Sequence, residues 1–236
     1  MKYVADLHLH TISSGHAYST LEEYAARAKK IGLKSFALTD HGPAMPGGPH
    51  LYYFANLKMV PEKINGVRIF RGCEANVINA DGGIDLPEFE QSGLEIIIAS
   101  MHPRVGYESH GEEKNTEVLI KTMVRNPRVN ILGHIGNPKF PVNIPAVCAA
   151  AKERRVLIEL NNSSVVSRPG SWEKCLEAAR EVKRLDWLVA LGTDSHFSTM
   201  LGDFKKVEEL IKAAGLSDKH VVNTSFEKIE KYLLKR

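Results

Sequence analysis

Short apolar runs alternate along this chain with longer stretches in which apolar positions recur every three to four residues. The runs are Tyr3–Leu9, Ser35–Thr39, Val67–Gly72, Ile96–Ser100, Val129–Leu132, Val156–Leu160 and Leu188–Leu191. They are rich in valine, isoleucine and leucine and do not alternate strictly with polar residues, as expected of strands covered on both faces. Helical spacing is predicted near Thr116–Val124, Ile144–Lys152, Trp172–Lys183 and Phe204–Ala213. Ser19-Thr20-Leu21-Glu22 reads as a capping box, with serine and glutamate satisfying the free N–H groups of a first turn. Gly32 ends that helix, and Thr224-Ser225-Phe226-Glu227 caps a last one. Repeated strand-helix-strand order predicts an α/β fold with a parallel sheet and right-handed crossovers. Seven units favour a closed barrel over an open sheet, and 236 residues suit a single domain spanning 1–236.

The polar positions that interrupt this pattern are not scattered. His8 and His10 end the first predicted strand, His41 follows the second, and Glu74 ends the third. His102, His134 and the pair Asp194 and His196 end the fourth, fifth and seventh, and His16 stands on the loop after the first. Reactive groups of parallel α/β folds gather at the carboxyl ends of the strands. A lone histidine is more often structural than functional. Chance does not readily put an imidazole or carboxylate at the same end of nearly every strand. His50, His110 and His220 fall elsewhere and read as ordinary residues, although His110 lies in a polar loop that could meet a substrate.

Composition adds exclusions. Hydrophobic residues make up 43% of the chain and charged residues 25%, and the net charge of +3 comes without blocks of like charge. Bulk charge therefore gives no reason to expect nucleic acid or a membrane as partner. No apolar run is long enough to span a bilayer, and Met1-Lys2-Tyr3-Val4 leads directly into Asp6-Leu7-His8 without a signal-peptide pattern. Cys73, Cys148 and Cys175 form no framework, which fits a cytoplasmic setting.

Seven histidines and two carboxylates form a nitrogen-rich donor set, favouring zinc first, with manganese or iron as alternatives. Nine donors exceed what one tetrahedral ion can use, so two or three ions sharing ligands are expected, with Glu74 able to bridge through its two oxygens. Clustered divalent ions generate hydroxide near neutral pH and hold the oxygens of an in-line displacement on phosphorus. The chain has neither a G-x-S-x-G elbow nor a phosphate-binding G-x-x-x-x-G-K-[ST] loop, so no protein nucleophile is predicted. Arg168 and Lys139, which follow the sixth and fifth strands, are candidates for contacts to a phosphoryl group.

The motifs Asp6-Leu7-His8-Leu9-His10-Thr11, Thr39-Asp40-His41-Gly42, Gly72-Cys73-Glu74, Met101-His102, Gly133-His134 and Gly192-Thr193-Asp194-Ser195-His196 resemble those of the PHP family (polymerase and histidinol phosphatase). The resemblance extends over almost the whole chain. His16-Ala17-Tyr18-Ser19-Thr20, Gly136-Asn137-Pro138-Lys139 and Glu159-Leu160-Asn161-Asn162-Ser163-Ser164 are similar to the branch of small single-domain bacterial phosphatases. It implies a distorted TIM-like barrel of seven β/α units, three metal ions, and a homotrimer. Carried over by motif, His8, His10, Glu74 and Asp194 would hold one ion, Glu74, His102 and His134 a second, and His16, His41 and His196 a third. The activity expected is hydrolysis of a small phosphate monoester. A 3′–5′ exonuclease or nucleotide phosphodiesterase is the alternative, since the metal chemistry serves both. A strand-binding groove of interleaved basic and aromatic residues is not visible. Two further readings have less behind them. The carboxylated lysine of amidohydrolase-like enzymes has no evident counterpart, and a complete ligand set argues against a non-catalytic module.

Overall fold

The structure is a computed structural model and describes residues 1–234. In chain order the strands are β1 (Ala5–Asp6), β2 (Ser35–Leu38), β3 (Lys63–Ile64), β4 (Val67–Asn76), β5 (Ile96–Ser100), β6 (Ile131–Leu132), β7 (Leu157–Asn161) and β8 (Val189–Gly192). All but β3 run parallel in the order β1-β2-β4-β5-β6-β7-β8, with helices in the crossovers. β3 pairs antiparallel with β4 across Asn65-Gly66, both at positive φ (54° and 83°). This is the Asn-Gly hairpin signal, which the sequence reading passed over.

The sheet closes where β8 returns to β1, but not by a continuous ladder. Toward the carboxyl ends, Leu7 N donates to Leu191 O (3.2 Å), Asp194 N donates to His8 O (2.9 Å), and Leu9 pairs with Ser195. Toward the amino ends, Asn223 stands between the two strands. Its amide donates to Ala5 O (3.0 Å) and Leu191 O (2.8 Å), and its Oδ1 accepts from Leu191 N (2.7 Å). Buried Asp6 fastens the same seam by accepting from Thr193 N (3.0 Å), Thr193 Oγ1 (2.6 Å) and Gly202 N (3.1 Å). A barrel pinned at one end by strand pairing and at the other by an asparagine strut is the distorted, TIM-like seven-unit barrel that was expected.

Several boundaries differ from the sequence reading. β4 runs on to Asn76, so Glu74 lies inside the strand rather than at its end. β1 is much shorter than Tyr3–Leu9, because Leu7 to His10 continue in isolated backbone bonds to 191–195 and to Thr39 rather than in a regular ladder. The capping box is one residue later than read. Thr20 Oγ1 accepts from Glu23 N (3.3 Å), and Glu23 Oε2 accepts from Thr20 N (2.6 Å). Ser19 instead accepts from Ser198 N (3.0 Å), tying the first loop to the last. The helices between strands begin or end within a few residues of expectation, as Ile144–Arg154 and Ser171–Arg184 illustrate.

Side chains sort into two apolar bodies. Phe36, Ile69, Ile97, Leu132, Ile158 and Val189 point outward into the layer beneath the helices. Leu7, Phe70, Ile96, Ile98, Ile131 and Leu157 point inward and fill the barrel, with Val222, Ile229 and Leu233 beneath them. No helix of the described residues is long and apolar enough to cross a membrane.

Candidate metal centre

Strand geometry explains how polar groups reach one place. Side chains alternate across a strand, so every second residue faces the barrel axis. On β4 that parity runs Phe70, Gly72, Glu74 and Asn76. On β5 it runs Ile96, Ile98, Ser100 and, just beyond, His102. Two donors leave their strands on backbone of the left-handed region, His134 at φ 31° and Asp194 at φ 55°. Such conformations cost on the order of 1–3 kcal/mol in a residue other than glycine and persist only where the surroundings fix them. Gly192 makes room at the barrel wall, since a Cβ there would lie 2.4 Å from both Glu159 Oε1 and His8 Cβ.

The donors converge. His8 Nε2 and His10 Nε2 are 3.1 Å apart, and each is 3.4 Å from Glu74 Oε2. His10 Nε2 lies 3.2 Å from Asp194 Oδ1. On the other side of Glu74, His134 Nε2 is 3.0 Å from Oε1 and 3.2 Å from His102 Nε2. The edge of a tetrahedron with bonds of about 2.0–2.1 Å is about 3.3–3.4 Å, so several of these spacings are those of neighbouring ligands on one ion. The sets His8, His10 and Asp194, then His10, His41 and His196, then His41, Glu74 and His102 each bring their donor atoms within 4.8 Å of one another. His10 and His41 thus each belong to two sets, a finer sharing than the motif-based partition implies. His16 stands at the exposed rim, its ring 5.0 Å from that of His41 and 5.1 Å from that of His196.

Hydrogen bonds fix which nitrogen of each ring is free. Glu159 Oε1 lies 2.6 Å from His8 Nδ1 and can only accept. Ser14 Oγ gives its proton to Asp40 Oδ1 (2.6 Å) and so accepts from His10 Nδ1 (3.2 Å). The Asn76 amide nitrogen donates to Asp85 (2.6 Å), which leaves its Oδ1 to accept from His102 Nδ1 (2.8 Å). The Asp194 carbonyl accepts from His196 Nδ1 (2.9 Å). In all four rings the proton is assigned to Nδ1 by its partner, and the Nε2 lone pair is left for the cluster. Buried His41 Nδ1 and Glu74 Oε2 lie 2.7 Å apart, yet neither makes a hydrogen bond. Buried polar atoms are normally satisfied, and orphaned donor atoms facing lone pairs fit a bound cation.

The electrostatics mark the carboxylates as charged and two of the rings as neutral, while at His8 burial is outweighed by the carboxylates of Glu159, Glu74 and Asp194, which raise the ring well above the usual imidazole range. Burial alone would push the Glu74 carboxyl up, but His8, His102 and His41 around it override that and hold it well below the carboxylate range. Asp194 is likewise depressed against its burial, by His8, His10 and Arg168. Burial pushes His10 and His102 well below the usual imidazole range, toward the neutral ring that ligates metal.

Above the cluster opens a cleft of about 650 Å³ whose walls include Arg104, Lys139 and Arg168. Arg168 donates to Asp194 Oδ2 (3.3 Å) and Ser164 Oγ (3.1 Å). Both cations expected near a phosphoryl group are therefore at the mouth, and Arg104 joins them. His110 is exposed, packs on Tyr107 and does not line the cleft. His50 caps a short helix, its Nδ1 accepting from Tyr52 N (3.2 Å), and His220 caps a turn with Ser217.

The residue that sequence reasoning missed is Glu159. It holds His8 with one oxygen and accepts from His134 N (2.8 Å) with the other. Its signal was parity: Leu157, Glu159 and Asn161 share a face of β7, and a glutamate on the inward face of an apolar strand needs a partner. Asn76 and Ser14 carried no comparable signal.

A parallel barrel with a histidine and carboxylate cluster at its carboxyl mouth defines a class of metal-dependent hydrolase. The PHP domain profile matches residues 6–164, and the chain belongs to the PHP domain family. It is 48% identical over 233 residues to a probable phosphatase of Clostridium botulinum, covering 99% of this chain and 95% of that protein. To a probable phosphatase of Acetivibrio thermocellus it is 46% identical over 236 residues, covering 100% and 97%. The fold is similar to the crystal structure of histidinol phosphate phosphatase from Lactococcus lactis, complexed with zinc, L-histidinol and phosphate. That match has a TM-score of 0.62 at 16% identity and covers 91% of this chain and 95% of the other. The chain is a phosphoric ester hydrolase, a metal-dependent phosphatase of this family.

Proposed function

We propose that the chain is a phosphomonoesterase of small phosphorylated metabolites, working with three zinc ions that manganese or iron can replace. His8, His10, Glu74 and Asp194 would hold one ion, Glu74, His102 and His134 the second, and His16, His41 and His196 the third. The observation that carries this reading is the convergence of Nε2 lone pairs around Glu74, with His41 Nδ1 and Glu74 Oε2 left without hydrogen bonds. Such ions, when bound, supply a water of lowered pKa and a clamp on the oxygens of an in-line displacement.

The chain's own residues do the rest. Glu159, Ser14 and Asn76 hold the rings of His8, His10 and His102 in one orientation. Arg168, fixed by Asp194 and Ser164, presents a planar donor to a phosphoryl oxygen, and Lys139 adds a second positive charge at the mouth. Ser163 and Ser167 line the cleft, but their hydroxyls donate to Thr193 O (2.8 Å) and Ser163 O (2.7 Å) rather than to a base. Neither is activated as a nucleophile, which favours water. The cleft size suits a metabolite. Its lining holds no phenylalanine, tyrosine or tryptophan on which successive bases could stack, and this favours the monoesterase over the exonuclease reading. The free, buried cysteines support the cytoplasmic setting.

The test is elemental analysis of gently purified protein together with hydrolysis of a panel of phosphomonoesters and phosphodiesters, with and without added zinc. Two to three transition-metal ions per chain and a preference for monoesters are expected. Less than one ion per chain, with no restoration of activity by zinc, manganese or iron, overturns the reading.

A further inference from the structure

The cleft is lopsided in charge. Three cations line it, Arg104, Lys139 and Arg168, against a single carboxylate, Asp194, which already belongs to the donor cluster. Arg168 is engaged with Asp194 and Ser164. Among the described residues, no ion pair or hydrogen bond engages the side chain of Arg104 or of Lys139; both residues are bonded only through their backbone N. Glu108, the acid nearest to Arg104 in sequence, makes no ion pair with its guanidinium; Glu108 Oε1 accepts from the Arg104 backbone N (3.2 Å).

The loop also fixes the backbone of Arg104. Arg104 sits at φ 67°, in the left-handed region that a non-glycine residue rarely adopts. Two residues on, Gly106 at φ 113° lets the chain pack so closely on β4's continuation that a Cβ would lie 2.7 Å from Ile78 O. Strained backbone of this kind at a cleft points to a functional constraint on where the side chain stands. Unpaired like charges facing one cleft repel each other unless an anion joins them.

We infer that the organic part of the substrate carries a second anionic group, a carboxylate or a second phosphate, received by Arg104 and Lys139 while Arg168 faces the scissile phosphoryl group. The inference rests on the phosphomonoesterase reading and narrows its substrate class. An ammonium-bearing ester would meet no free carboxylate in this cleft, so histidinol phosphate and phosphoethanolamine should be poor substrates.

The experiment measures kcat/KM of the zinc-loaded protein for glycerol phosphate, phosphoglycerate, a hexose bisphosphate and phosphoethanolamine. It is repeated on the double variant Arg104→Asn, Lys139→Gln, since asparagine tolerates the left-handed backbone. At least one anion-bearing ester should exceed glycerol phosphate by about tenfold or more, as expected of charge-assisted hydrogen bonds. Phosphoethanolamine should fall below glycerol phosphate. Phosphoglycerate against the bisphosphate decides which anion is read. In the double variant the ratio should collapse to within about threefold. In the wild-type protein it should shrink with added salt, a check that needs no variant to fold. Hydrolysis of all four esters with similar kcat/KM, or a double variant that keeps the wild-type ratio, overturns the inference alone. No hydrolysis of any ester by zinc-loaded protein overturns the phosphomonoesterase reading and the inference with it.

Discussion

At the amino ends of its strands the barrel is filled by Leu7, Phe70, Ile96, Ile98, Ile131 and Leu157 and floored by Val222, Ile229 and Leu233. Two to six residues further along the same strands or just past their ends, on the same face, it is lined by Glu74, Asn76, His102, Glu159 and Asn161. The lower half gains about 1.5–3 kcal/mol per large buried apolar side chain. The upper half buries ionisable groups, crowds imidazoles against each other and holds His134 and Asp194 at positive φ. A strand period of two lets one set of strands make both halves without compromise. Stability comes from the floor and from the apolar layer beneath the helices, so the mouth can be arranged for chemistry.

The comparison breaks most visibly at Glu74, on which the donors of both sides converge. Glu74→Gln keeps the shape and removes the charge and one acceptor. Metal content should fall, and activity should drop by about a thousandfold, the equivalent of several kcal/mol of lost charge stabilisation. Full activity with full metal content would make Glu74 a bystander. At the other end, Phe70→Ala should destabilise the fold by about 3–5 kcal/mol through lost burial and a cavity. The folded protein should still bind its metals and turn over within about twofold of wild type. If chemical denaturation showed the expected loss but metal content fell in parallel, the two halves would not be separable.

Glu159 sharpens the comparison, because it lies at the boundary and belongs to the mouth by contact. Glu159→Gln keeps the bulk but weakens the acceptor beneath His8 and the brace on the His134 backbone. Zinc affinity, measured by competition with a chelator, should fall about 10–100-fold. Unchanged affinity would mean that packing alone orients His8.

Much of this division was legible before the fold was known. The buried parallel strands were visible as unalternated apolar runs, and the mouth as histidines at their ends. Less legible was anything decided by a one-residue register or by contacts far apart in sequence. Thr20 rather than Ser19 caps the first helix because Ser19 is taken by the loop at Ser198, a partner about 180 positions away. Asn223 as a strut between β1 and β8 has no sequence signature, since an asparagine after a turn looks like loop chemistry. The placement of Arg104 could not be foreseen, because neither its positive φ nor the packing of Gly106 can be read from residue type. Glu159 was readable in principle, by carrying the inward parity of Leu157 two residues forward.

Arg168 marks the upper edge of the comparison, where the mouth passes from holding metal to holding substrate. Its guanidinium touches Asp194 Oδ2 at 3.3 Å, while the other oxygen, Oδ1, is the one 3.2 Å from His10 Nε2. The side chain is therefore placed to serve the substrate through its position and the cluster only through one shared carboxylate. If its main role is to receive a phosphoryl oxygen, Arg168→Ala should raise KM by about tenfold and weaken inhibition by inorganic phosphate similarly, the loss of one charge-assisted contact. Metal content should stay intact, because Asp194 keeps its imidazole neighbours. Arg168→Lys should recover only part of the loss, since a point charge cannot reproduce the planar fork. If instead the arginine serves the cluster by fixing Asp194, metal content and kcat should fall together with KM little changed. A strand of nucleic acid would give a third pattern, a gradual and salt-dependent loss, because many phosphates would share the contact. Kinetics on one small phosphomonoester at two salt concentrations, with zinc content measured on the same samples, separates the three. A variant that matches wild type in all of them would move the phosphoryl contact away from Arg168 to Arg104 and Lys139.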